Sequence, residues 1–193
     1  MLRFGNLTIH FALVFLVCSF VWGTVPLPNS GYAGQQPVQE YELKAVYLYN
    51  FLQFVQWPES APAGVMVIGV LGESPFGGAL DELEANVRKG GMMPVKIVHY
   101  GAYRPGMNLC GCNLLFVSAS ERKNFAGIIA GLEAAPVLTV SETNDFIDSG
   151  GMIALVRNRD RIRWEINRSS AESAGLRLSA QLLSMAVKVV EKP

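Results

Sequence analysis

Histidine is almost missing from this chain: among 193 residues there are two, His10 and His99. That scarcity excludes a multi-histidine metal site, and any Ser–His–Asp or Cys–His machinery would have to be built around one imidazole. Charge is also thin, at 17% of residues, and it balances, with 16 basic against 16 acidic side chains. A neutral total provides no long-range field to gather polyanions. Neither G-x-G-x-x-G nor G-x-x-x-x-G-K-[ST] occurs; "GESPFGG" at 72–78 is only a glycine-containing strand-to-helix turn. Asp145 and Asp148 lie three apart beside a glycine pair, with no basic partner to separate their pKa values. No nucleophile–base pair stands out, so the expectation is a protein without catalytic residues, metal or cofactor.

Long hydrophobic runs are limited to one. "MLRFGNLTIH" carries Arg3 and leads into "FALVFLVCSFVW" at 11–22. A bilayer span takes roughly 20 apolar residues, whereas this run has the length of a secretory h-region. "GYA" at 31–33 supplies a small-residue cleavage site, and Val17 before Cys18 is too large for a lipoprotein signal. Residues 1–33 are therefore expected to be a signal peptide and cleavage region, and 34–193 a single exported domain, periplasmic and without membrane insertion after cleavage. Hydrophobic residues make up 50% of the chain, enough for a packed core.

What is present alternates. "QEYELKAVYLYNFLQFVQWPES" has Leu43, Val46, Tyr47, Asn50, Phe51 and Phe54 at helical spacing, ending at Trp57–Pro58. "VMVIGVLG", "PVKIVHY", "NLLFVSAS" and "PVLTVSE" read as strands, the first and third buried on both faces. "SPFGGALDELEANVRKGG" and "ERKNFAGIIAGLEA" read as the helices between them. "GGMIALV" and "RIRWEIN" form a hairpin through "RNRD", and residues 169–192 predict one long helix opened by a Ser169–Glu172 capping box. The expected fold is α/β: a three-layer α/β/α sandwich, mostly parallel, with a C-terminal β-hairpin and a long packing helix.

"RNRDRIRW" at 157–164 puts four arginines into eight residues. In a strand, Ile162, Trp164 and Ile166 point one way and Arg161, Arg163 and Glu165 the other. Nucleic-acid binding would want a broad basic face with few acids, and Asp160 and Glu165 interrupt this one. The outer face is a solvated hairpin or a protein-contact surface, arginine and tryptophan being enriched at interface hot spots. Ligands of open α/β sheets bind beyond the carboxyl ends of strands, which singles out Glu73, Ser74, Ser118, Ser120, Ser141 and Asn144 as ligand loops, or as caps and turn hydroxyls. Cys110 and Cys112 in "CGC" are an even pair in an exported domain; a disulfide, free buried thiols and a metal contact all remain open.

The order of four blocks resembles the YfiR-like family. These are the helix with Lys44, Ala45, Tyr49, Asn50, Phe51, Phe54, Trp57 and Pro58; "IGVLGESPF"; "CNLLFVSAS"; and the closing "FIDSGGMIALVRNRDRIRWEINRSSAESAGLRLSAQLLSMA". The resemblance implies a periplasmic repressor that binds the sensor domain of an inner-membrane diguanylate cyclase, lowering cyclic di-GMP and biofilm, under redox or ligand control. Cys112 matches the family's strand-leading cysteine, whereas Met152 follows the glycine pair where some relatives carry a cysteine. A homodimer, and a periplasmic small-molecule-binding module, are the other expectations.

Overall fold

The computed structural model describes residues 35–59, 61, 64–132 and 135–191; the expected signal peptide lies outside them. The chain runs α1 (Gln35–Gln53), β1 (Val55–Gln56), β2 (Met66–Leu71), α2 (Ala79–Lys89), β3 (Val95–Gly101) and β4 (Leu114–Val117). It continues through a 3-10 turn (Ala119–Asn124), α3 (Phe125–Gly131), β5 (Leu138–Ser141), a second 3-10 turn (Asn144–Phe146), β6 (Ile153–Asn158) and β7 (Arg161–Asn167). It closes with α4 (Arg168–Ser173), β8 (Arg177–Leu178), α5 (Ala180–Ser184) and β9 (Lys188–Val190). The main sheet has the order β3-β2-β4-β5-β6-β7-β9. Its first five strands are parallel, β7 returns antiparallel to β6, and β9 runs parallel to β7. A small ribbon pairs β1 with β8.

Alternation along β4 explains the layers. Leu114 and Phe116 enter one apolar cluster, with Leu48, Phe51 and Leu52 of α1 and Leu80 and Val87 of α2. Leu115 and Val117 enter a second cluster, with Phe125 and Ile128 of α3 and Phe146. A strand covered on both faces has no polar position, which is why "LLFV" is apolar throughout. Helix α2 begins at Ala79, after a turn at 75–78, and carries Asp81 and Glu82 in its first turn and Arg88 and Lys89 in its last. Those charges complement the helix dipole.

Four expectations are corrected. The inward stripe of α1 is Ala45, Leu48, Tyr49, Phe51 and Leu52, whereas Leu43 and Val46 are 41% and 43% exposed. Residues 43–54 are apolar around most of the helix, so periodicity alone does not choose the face; the partners on the sheet do. The helix also stops at Gln53, where β1 leaves to pair with β8 and the Trp57 indole donates to the Leu52 carbonyl at 3.2 Å.

The long packing helix over 169–192 is absent, replaced by α4, β8, α5 and β9. Gly175 adopts φ +73, and the N–H groups of Gly175 and Leu176 return to the carbonyls of Glu172 and Ala171, each at 2.9 Å. That left-handed closure ends a helix. The β-branched run after it joins the sheet beside β7 instead of continuing a helix. Nor is Ser169 the cap: Asn167 is, its Oδ1 accepting from the Ser170 N–H at 3.0 Å, while Glu172 pairs with Arg168.

Candidate functional site

The hairpin forms as its alternation requires. Strands β6 and β7 pair from Ile153↔Ile166 to Asn158↔Arg161, leaving Arg159–Asp160 as the two-residue turn, with Arg159 at φ 55. Left-handed backbone suits such turns. Ile162, Trp164 and Ile166 are buried, Arg161 is exposed, and Arg163 and Glu165 are half-buried. The Trp164 ring meets Phe51 and Tyr47 edge-on at 5.3 and 5.4 Å, and its Nε1–H donates to the Leu182 carbonyl at 3.2 Å.

Along this seam α1 and β7 enclose a cleft of about 320 Å³, lined by Tyr47, Phe51, Phe54, Trp164 and Met185. Tyr47, Ile162 and Arg163 also line a neighbouring cleft of about 640 Å³, which adds Glu40, Leu43, Arg157 and Arg161. The two form one groove with an aromatic floor and a basic rim. Arg157 is engaged by Glu40, and Glu165 faces Lys188 at 4.0 Å. Arg161 and Arg163 make no ion pair among the described residues. A rim of this kind can receive acidic groups while apolar contacts fill the floor.

Beneath the groove lies a charged cluster that sequence patterning missed. Lys44, 5% exposed, places its ammonium 2.7 Å from both Glu40 and Glu142, and 4.4 Å from the Tyr41 ring centroid. Burial works against the charged ammonium, but hydrogen bonds to Glu142 and Glu40 outweigh it and hold the Lys44 pKa above its ordinary value. The hydrogen bond from Lys44 is the main reason the Glu40 carboxyl is held below its ordinary value. A buried ion pair of this sort fixes geometry more than it stabilises; here it locks α1 onto the chain just after β5. The sequence signals were a lysine in the largely apolar stretch 43–54 and its i,i+4 spacing from Glu40.

At the carboxyl ends of the strands the expected ligand loops are brought together only in part. Ser120 Oγ accepts from the Glu73 N–H at 3.0 Å, and Ser118 Oγ from the Ser120 N–H at 3.4 Å. Ser141 Oγ is fully buried and donates to the Val117 carbonyl at 2.7 Å. Ser74 Oγ accepts from the Phe76 N–H within its own turn, and Asn144 opens the second 3-10 turn. Gly72, at φ +90, lies so close that a Cβ there would come within 2.5 Å of Ser120 Oγ. Ser118 and Ser141 are buried at this edge, whereas Glu73, Ser74, Ser120 and Asn144 are exposed.

Among the described residues the two cysteines are free thiols, Cys110 exposed and Cys112 buried. Gly69 in mid-strand leaves room for Cys112 and Tyr100: a Cβ there would approach them to 3.2 and 2.6 Å. Burial pushes the Cys112 thiol up to about 12, and it donates to the Leu109 carbonyl at 3.2 Å. His99 stands exposed on the edge strand β3.

The architecture defines the class: a three-layer α/β domain with a mostly parallel sheet closed on one side by a hairpin. The chain belongs to the YfiR/HmsC-like family, which it matches over residues 41–187. That family is regulatory and non-catalytic, acts in the periplasm, and generally partners with a membrane sensor or cyclase. The fold is similar to that of a conserved domain protein from Vibrio cholerae O1, with TM-score 0.57 and 14% identity, over 78% of this chain and 60% of that one. It is also similar to an ABC domain in complex with L-Trp from Streptococcus pneumoniae, with TM-score 0.51 and 13% identity, over 76% of this chain and 60% of that one. This chain thus spans about three-fifths of the length of either protein. Among the described residues no helix is long and apolar enough to cross a membrane.

Proposed function

We propose that this protein is an exported, non-catalytic regulator that binds the periplasmic sensor part of an inner-membrane signalling enzyme of the diguanylate cyclase type and represses it. The groove between α1 and the hairpin is the observation that carries this reading: aromatic rings below, and above them Arg161 and Arg163, free of ion pairs among the described residues. A protein of this kind acts by binding one state of its partner more tightly than the other. Export through residues 1–33 would bring it to the compartment where a membrane sensor's outer domain lies.

Redox control would act through a Cys110–Cys112 disulfide, whose formation needs Cys112 to leave its buried position. The test is capture of the partner from solubilised membranes by purified residues 34–193, repeated with Arg161→Glu/Arg163→Glu. Expected are recovery of a membrane cyclase by the unchanged protein, its loss with the double variant, and raised cyclic di-GMP in cells carrying that variant. Unchanged capture and unchanged cyclic di-GMP would refute the groove as the contact surface.

A further inference from the structure

An unassigned space lies at the opposite edge from the expected ligand loops. A cavity of about 560 Å³ opens beside the amino ends of β5 and β6, within the roughly 300–1,000 Å³ range of small-molecule sites. Its apolar wall includes Ile129, Leu132, Val137, Ile147, Met152 and Val190. Its polar wall includes Asn167 and Ser170.

One of those polar side chains keeps a donor that the fold does not use. Asn167 is 7% exposed; its Oδ1 caps α4, and its Nδ2 makes no hydrogen bond among the described residues. Thr139 is fully buried, and its Oγ1 accepts from the Met152 N–H at 3.1 Å, so it lies behind the cavity wall. Side chains as buried as Asn167 ordinarily pair their donors, so the spare Asn167 amide in the wall marks the place of an acceptor supplied from outside. Asn167 is uncharged, and among the described residues no Lys, Arg or His lines the space and the one ionisable group is the exposed Asp148. An anion would meet repulsion from Asp148 there, with no cation among the described lining residues to offset it.

We propose that this cavity binds an uncharged, carbonyl-bearing apolar small molecule, its oxygen accepting from Asn167 and its body lying against Ile129 and Met152. The site is distinct from the groove, because Asn167 and Arg161 are at opposite ends of β7, about 20 Å apart at strand rise. It does not depend on the identity of the protein partner.

The probe is prodan, a neutral fluorophore with a ketone on an apolar ring system, titrated into purified residues 34–193; the anionic 8-anilinonaphthalene-1-sulfonate is the comparison. Expected are saturable one-to-one binding of prodan with blue-shifted emission, and at least tenfold weaker binding of the sulfonate. Asn167→Asp keeps an oxygen to cap the Ser170 N–H but removes the donor, and should raise the prodan Kd at least tenfold with the far-UV spectrum unchanged. Ile129→Trp, at a half-buried position on α3, should fill the cavity and abolish binding. No saturable binding, equal affinity for the sulfonate, or prodan affinity unaltered in both variants would each overturn the proposal.

Discussion

The ammonium of Lys44 sits 2.7 Å from a carboxylate oxygen of Glu142, a residue 98 positions further along the chain. This contact and the Lys44–Glu40 pair hold the first helix against the sheet. Lys44→Met should therefore cost about 3 kcal/mol, because two carboxylates are left against apolar surroundings without their cation. Urea unfolding of residues 34–193 measures it, and adding Glu142→Leu should recover part of the loss. A double variant worse than the single one would show that the pair is not what couples the two positions.

The same cluster sets a pH dependence with a definite sign. Glu40 has a pKa held below the ordinary 4.5, so its contribution is complete above that value and lost as pH falls through the folded one. Lys44 has a pKa held above 10.5, so its contribution is complete below that value and lost as pH rises through the folded one. Thermal melts of the unchanged protein and Glu40→Gln should separate near neutrality and converge as pH falls through the folded Glu40 pKa.

Trp164 and Arg163 are neighbours with different duties. Trp164→Ala should cost roughly 3–5 kcal/mol, since it empties the space between Tyr47 and Phe51 and removes the bond to Leu182. Arg163→Glu should leave stability within about 0.5 kcal/mol while weakening partner capture. Equal losses of stability in both variants would count against a contact role for the arginine.

Gly151 has no room for a methyl group: a Cβ there would lie 2.3 Å from the Phe146 ring. Gly151→Ala should cost about 1–3 kcal/mol by overpacking, read as a lowered urea midpoint.

Thiol titration of residues 34–193 should find one fast-reacting group, Cys110, in the folded protein and a second, Cys112, only in denaturant. A chain two hydrogens lighter with no titratable thiol would instead identify the disulfide.

The buried runs at 66–71 and 114–117, the amphipathic α2 and the alternating Arg161–Ile166 strand were all legible, because each carries its own period or length. Likewise Arg161, Arg163 and Glu165 were placed on the outer face by alternation alone. The face of α1 was not legible, because a segment apolar on most sides has no unique inward stripe. The ligand loops came from the carboxyl-end rule, which concerns topology; the bonds that join Glu73, Ser118 and Ser120 depend on close packing at Gly72, which leaves no mark in the sequence.

By itself the sequence determined a largely parallel α/β domain with a hairpin, few catalytic options and an arginine face pointing outward, all of which follow from local periodicity and composition. Only the tertiary structure decided that Lys44 is buried between two distant carboxylates, that Gly175 breaks the final helix so that β9 pairs with β7, and that the donor-lined cavity lies at the amino edge. Those outcomes depend on which surfaces meet, and contacts between residues remote in sequence leave no period behind to be read.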